Sequence, residues 1–149
     1  MSTLETPTID FLILADHAEA INGKIYLMGG GWDVRAVRDF AQPVPLTLAL
    51  AVLVPWTATN QRHHLRLRVE DADGRQFAEV KGEFVAGRPP HLTAGTTQRI
   101  PLAFQHIPVL LGGPGVYAII AALNDQDQKR TTFTAVAASL EGTSGQPTS

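Results

Sequence analysis

The 149 residues contain no cysteine, which excludes disulfide staples, thiolate nucleophiles and cysteine-ligated zinc. The same absence leaves the redox compartment open, since cysteine-free proteins occur on both sides of a membrane. Serine is scarce: Ser2, Ser139, Ser144 and Ser149 lie near the two ends of the chain, and none sits in a Gly-x-Ser-x-Gly elbow. A serine hydrolase is therefore not expected. Nor is there an excess of positive charge. Twelve Lys and Arg stand against fourteen Asp and Glu, a net charge of −2, and a nucleic-acid binder needs a concentrated basic field. No apolar run approaches the ~20 residues of a membrane span. The opening MSTLETPTIDFLILADHA places Glu5 and Asp10, and no basic residue, before or within its short apolar stretch. A secretory signal starts positive and runs longer, so a soluble, cytoplasmic protein is the expectation.

What is present is a globular composition, 44% hydrophobic and 17% charged. A chain of this size can bury roughly 68–70% of its unfolded surface in one core. No internal repeat or linker divides it. One domain is expected over 1–140, followed by a small, polar, flexible tail, EGTSGQPTS, over 141–149.

The strongest local signal is Asn22-Gly23, between FLILADHAEA and GKIYLMGGGWD. A type I′ turn needs φ > 0 at both central residues, which Asn tolerates and Gly adopts freely. A two-residue turn fixes a register: Ile21 faces Lys24, Ala20 faces Ile25 and Ala18 faces Leu27. One face then carries Leu12, Leu14, Ala18, Ala20, Ile25 and Leu27 and reads as core. The other carries His17, Glu19, Lys24, Tyr26, Met28 and Trp32.

Asp73-Gly74 supplies a second hairpin. Its register sets Val69 opposite Ala78, Leu67 opposite Val80 and Leu65 opposite Gly82 on one face. Arg68 meets Glu79 and His64 meets Glu83 on the other, so hydrophobic pattern and charge agree. PLTLALAVLV lies between prolines 45 and 55 and fits a strand covered on both faces, as does VYAIIAAL. RIPLAFQHI alternates through Ile100, Leu102 and Phe104. GRPPHLTAGTT (87–97) is a long loop, and turns are expected at GGPG (112–115) and NDQDQK (124–129). About eight strands with regular turn cues make an all-β, antiparallel β-sandwich, Ig-like or jelly-roll-like. Its core should include Leu65, Leu67, Val69, Val80, Ile100, Leu102, Phe104, Tyr117, Ile119 and Phe133.

The segment PLAFQHIPVLLGGPGVYAIIAALND resembles the closing strands of Ig-like sandwiches, where Pro-Gly precedes a Tyr-containing strand. DFLILADHAEAINGKIYLMGGGWD, the proline-bounded strand before Trp56, and PGVYAIIAALND together resemble a family of small bacterial β-sandwich proteins of unknown function, over residues 9 to 138. The resemblance implies a fold and carries over no functional residue.

Candidate chemistry is sparse. His63 and His64 are neighbours on a strand, so they point to opposite faces and cannot share an ion. His63 falls inward near Phe84, a core-edge position. Asp71, Asp73, Asp125 and Asp127 sit in two turns that strand counting puts at opposite ends of the sandwich, too far apart for one calcium. Gly29-Gly30-Gly31 lacks the spacing of a phosphate loop and reads as a bulge or close backbone approach, which would turn Trp32 to the other face. No metal, cofactor or catalytic residue is expected.

Two surfaces remain. His17, Glu19, Tyr26, Met28 and Trp32 form a candidate interface for a protein partner or a second copy of the chain, because Tyr, Met and Trp are interface-enriched types. The alternative is that the loop segment 34–44, through Val37 and Phe40, covers that face. Trp56, Arg88, His91 and Asp125 gather at one loop end as a candidate rim for a small ligand or carbohydrate. The leading expectation is a non-catalytic protein acting through protein–protein contact or self-association. The ligand-binding module is second.

Overall fold

Alternating and doubly apolar segments become ten strands in the computed structural model, which describes residues 6–138. They are β1 (Thr8–Ala15), β2 (His17–Ile21), β3 (Lys24–Met28), β4 (Val34–Val37), β5 (Val44–Val54), β6 (Arg62–Asp71), β7 (Gln76–Val85), β8 (Gln98–Val109), β9 (Gly115–Leu123) and β10 (Gln126–Ala137). Sheet one has the order β1-β5-β8 and sheet two the order β4-β10-β9-β6-β7, while β2 and β3 pair only with each other. The fold is all-β. Pairing is antiparallel except between β4 and the end of β10, which run parallel. The expected domain end at 140 and the 141–149 tail lie outside the described residues.

Two doubly apolar segments occupy the centres of the two sheets, where both edges and both faces are covered. In β5, Leu46, Leu48, Leu50 and Val52 are buried together with Ala49 and Ala51 between them, and every residue of β9 from Tyr117 to Leu123 is buried. The sheets share a core in which Leu65, Leu67, Val69, Tyr117, Ile119 and Phe133 are buried, with Val80, Ile100, Leu102 and Phe104 packed against it. Each fully buried Leu, Ile or Phe contributes roughly 1.5–3 kcal/mol, so this layer dominates stability.

On the opposite side of β9, Ile120 is flanked by Arg68 of β6 and Arg130 of β10. Ile120 is buried although it faces away from the core. Long cationic stems can cover such apolar surface while their charged ends stay in water.

Both hairpin registers hold. Ile21 pairs with Lys24, Ala20 with Ile25 and Ala18 with Leu27; Leu65, Leu67 and Val69 pair with Gly82, Val80 and Ala78. Asn22 and Gly23 have φ of 51° and 76°, as a type I′ turn requires. Near Asp73-Gly74 the ladder slips by one residue after Val69: Ala72–Gly74 form a three-residue turn with Gly74 at φ 83°, and Asp71 Oδ1 accepts the amides of Asp73 and Arg75. The turn expected over 124–129 is shorter. Only Asn124 and Asp125 take positive φ, and Asp127 and Lys129 are already strand residues.

Ten strands replace the expected eight for two local reasons. The run FLILADHAEA breaks at Asp16, whose amide is shared by the Met28 and Gly29 carbonyls. Residues 34–37 form a short edge strand along β10.

The first hairpin is also not simply continuous with the Leu12/Leu14 core. β1 and β8 occupy the two lateral edges of β5, yet β2 comes close to both β5 and β8. To reach β8 from β1 the hairpin has to cross β5. Ala18 is fully buried there, while Ala20 is exposed and Ile25 only half-buried. The inner face of the hairpin is thus covered at its base and opens toward its tip.

Candidate functional site

The outward face of the β2–β3 hairpin follows from its register: His17, Glu19 and Ile21 on β2 alternate out beside Met28, Tyr26 and Lys24 on β3. Met28 is 68% exposed, Tyr26 52% and Ile21 45%. His17 Nε2 and a Glu19 carboxylate oxygen lie 2.8 Å apart, both half-exposed. This is an apolar and aromatic surface framed by one acid, one lysine and one histidine.

Segment 34–44 does not cover it. Val37 is buried in the main core and Phe40 packs against that core, while Tyr26 and Met28 remain in water. Ile21 was missed as a member of this face, although the alternation that selects Tyr26 and Met28 also selects Ile21.

Trp32 does not join them, and its placement corrects the interface set. Gly29 and Gly31 have φ of 63° and 83°, a backbone geometry that breaks strand alternation. A Cβ at Gly29 would collide with the Asp16 carboxylate. The Gly31 amide donates to the Leu14 carbonyl at 2.7 Å, which returns the chain to β1. Trp32 therefore turns onto the core, edge-on to Phe133 at 5.8 Å. Its indole N–H is buried with no acceptor among the described residues. The aromatic contacts continue from Phe133 to Tyr117 at 5.6 Å and from Tyr117 to Phe77 at 5.5 Å. Tyr117 OH donates to the Gly113 carbonyl and accepts the Gly112 amide, fastening the Gly-Pro-Gly turn to its strand.

The loop-end set divides. Pro55 leads into a 3₁₀ turn over Trp56–Ala58. Arg88 lies over the Trp56 ring at 3.8 Å, donates to the Trp56 carbonyl at 3.0 Å and reaches Thr59 Oγ1. This is an internal clamp, and it occupies one face of the indole. His91 is exposed, within a tight turn in which the Leu92 amide donates to the Pro89 carbonyl. Asp125 belongs elsewhere, to an open groove of about 900 Å³ with His64, Arg66, Glu79, Lys81 and Glu83.

That groove lies on the charged side of β6 and β7. Arg66 pairs with Glu79, and His64 Nδ1 lies 3.3 Å from Glu83. Arg68 holds Asp127 through both guanidinium nitrogens at 2.7 and 2.8 Å and bonds Glu70 at 2.8 Å. The hydrogen bonds from Arg68 hold the Asp127 carboxyl below its ordinary range. The bonds to Asp127 and then Glu70 raise the guanidinium further. Interleaved signs make this a solvated face rather than a track for phosphates.

His63 behaves as structure. His63 is 3% exposed; its Nε2 donates to the Ala58 carbonyl at 2.7 Å. Asn124 Oδ1 accepts the His64 amide, which leaves Asn124 Nδ2 to donate to His63 Nδ1 at 3.1 Å. The two bonds fix one tautomer and tie β6 to both the 3₁₀ turn and the β9–β10 turn. Among the described residues, no three His, Asp or Glu side chains are placed to hold one metal ion. No helix there is long and apolar enough to cross a membrane.

A search of curated proteins found no match to the chain. The model of a family of unknown function, DUF6941, matches residues 10–136, nearly the span over which the sequence resembles small β-sandwich proteins of unknown function. The chain, an all-β fold with that match along most of its length, belongs to the DUF6941 family.

Proposed function

We propose that this protein is a non-catalytic β-sandwich that works through protein–protein contact, using the outward face of the β2–β3 hairpin. One observation carries the reading: Tyr26 and Met28 stand in water at 52% and 68% exposure on a hairpin whose tip contributes little to the core. Large apolar side chains grouped on one surface mark contact sites, and Tyr and Met are types that interfaces favour. His17, Glu19 and Lys24 supply the polar frame. A cytoplasmic setting is part of the same proposal, and fractionation of the native cell tests it.

The ligand-binding alternative loses support because Arg88 already stacks on Trp56, while His91 and Asp125 add no convergent polar groups there. Nucleic acid has no place in the reading, given the net charge of −2 and the mixed signs along β6 and β7.

The test is the double substitution Tyr26→Ser with Met28→Ser. The variant should keep the wild-type melting temperature and lose both concentration-dependent assembly and whatever partner the wild type retains from native extract. A variant that unfolds, or that assembles and binds as the wild type does, ends the proposal.

A further inference from the structure

The free edge of β3 carries information that its outward face does not. The two-residue turn makes Ile21 and Lys24 the first hydrogen-bonded pair, so Tyr26 and Met28 also direct their backbone groups toward β2. The Met28 carbonyl confirms this parity by accepting the Asp16 amide at 3.1 Å. Ile25 and Leu27 therefore point their N–H and C=O groups the other way, and no strand among the described residues pairs with that edge. An edge with unpaired donors and acceptors is a template for another strand. The side chains at this edge are apolar: Leu27 is 37% exposed and Ile25 half-buried.

Building on the contact reading above, we infer that the occupant is the β3 strand of a second copy, paired antiparallel about a two-fold axis at Tyr26. In that register Ile25 of each copy faces Leu27 of the other, and each pair exchanges two hydrogen bonds. Every free backbone group of Ile25 and Leu27 is then satisfied. Tyr26 meets its own counterpart at the non-hydrogen-bonded centre, where side chains approach most closely. Lys24 falls opposite Met28 of the other copy.

Extent of pairing selects this register over its neighbours: a two-fold at Ile25 sets Leu27 opposite Gly23, and one at Leu27 sets Ile25 opposite Gly29, both outside β3. Moving the axis to Lys24 sets two lysines face to face, which is destabilising. Moving it to Met28 leaves Ile25 without a partner within β3. The two-fold at Tyr26 pairs all of Lys24–Met28 and keeps like charges apart. β7 is protected where β3 is not, since it carries Glu79, Lys81 and Glu83 outward, a common guard on edge strands.

Five residues of strand form a contact well below the ~1,200–2,000 Å² of a stable interface. The dimer is accordingly weak and reversible. In sedimentation equilibrium the wild-type mass should rise from monomer toward dimer between about 1 µM and about 1 mM, the range of weak affinities.

Cross-linking reads the register. The chain has no cysteine, so Tyr26→Cys introduces a single thiol. Its Cα should stand ~4.5 Å from its counterpart, within the disulfide range of about 4.4–6.8 Å. Mild oxidation of Tyr26→Cys should give a covalent dimer in high yield, and Lys24→Cys should not. Ile25→Pro deletes an edge donor while leaving the β2–β3 bonds intact, and should be monomeric with an unchanged circular dichroism spectrum.

A wild type that stays monomeric throughout overturns the inference, as does equal cross-linking of Tyr26→Cys and Lys24→Cys. If the wild type is monomeric while Tyr26→Ser/Met28→Ser still abolishes retention of a partner from extract, the second-copy inference falls and the broader contact reading stands.

Discussion

The two hairpins each turn at an acid or amide followed by glycine, Asn22-Gly23 and Asp73-Gly74, and reach opposite ends. Around Asp73-Gly74, β6 buries Leu65, Leu67 and Val69 and sends Arg66 and Arg68 outward to Glu79 and Asp127. Around Asn22-Gly23, the inner face is buried at Ala18 alone, and the outer face shows water Ile21, Tyr26 and Met28. One hairpin supports the fold and neutralises its own charges. The other leaves apolar groups unpaired and adds little to the core. Period-two alternation is common to both, so hydrophobic patterning alone does not separate a strand pair that builds the core from one left exposed. The difference lies in what each hairpin is laid against.

That contrast can be broken at the core first. Leu67, 2% exposed, should lose about 2–5 kcal/mol of stability on substitution by Ala. Leu27→Ala should cost below ~1 kcal/mol, since Leu27 is 37% exposed and its side chain is already partly solvated. Comparable denaturation midpoints for the two variants would show that the β2–β3 tip is more integral to the fold than its exposure indicates.

Gly29→Ala is intermediate. It combines φ of 63° with a clash against the Asp16 carboxylate, and such strain costs on the order of 1–3 kcal/mol. Gly23, with nothing near its missing Cβ, carries only the conformational term of about 1–2 kcal/mol for a side chain in the left-handed region. Urea unfolding of Gly29→Ala and Gly23→Ala should rank them in that order, and the reverse order would mean that the Asp16 crossing yields easily.

Tyr26→Ser with Met28→Ser should move stability by no more than ~0.5 kcal/mol, as exposed positions do, while abolishing assembly in size-exclusion measurements. A large stability loss would merge the two hairpins into one structural class.

The smallest effect belongs to the charged side of β6. The Asp127 carboxyl is held below its ordinary value by Arg68. Its stabilisation is therefore complete above the unfolded carboxylate value of about 3.9 and is lost as pH falls through the lowered folded value. Asp127 is 57% exposed, so solvent screens most of the pairing energy. The melting-temperature gap between wild type and Asp127→Asn should be small at pH 7 and close as pH falls from about 5 to about 2. A gap that does not change with pH would remove the ion pair from the account.

Much of the fold was legible because its causes are local. Asn22-Gly23 and Asp73-Gly74 set registers within a few residues, and prolines 45 and 55 bracket the central strand of the first sheet. His63 could be placed inward by alternation alone, although its partners Ala58 and Asn124 could not be named. The candidate face was legible in Tyr26 and Met28 for the same reason. Trp32 was not, because positive φ at Gly29 and Gly31 resets the alternation that would place it. The stacking of Arg88 on Trp56 joins residues 32 positions apart, and the crossing of β5 by the hairpin depends on the assembled sheet. Neither leaves a trace in residue spacing. The parallel strand at 34–37 carries no turn signal to announce it.

The Asp16–Gly29 crossing has a consequence for how this sequence can change. Both strands of the hairpin leave the sandwich at that one point, with the Asp16 amide bonded to the Met28 and Gly29 carbonyls and the Gly31 amide bonded to Leu14. Beyond it, substitutions between Glu19 and Leu27 act on few residues of the main core, so their effects on folding should be nearly independent of changes inside the sandwich. Substitutions at the tip can then accumulate one residue at a time, with the crossing serving as the boundary between a tightly packed body and an outlying, replaceable tip.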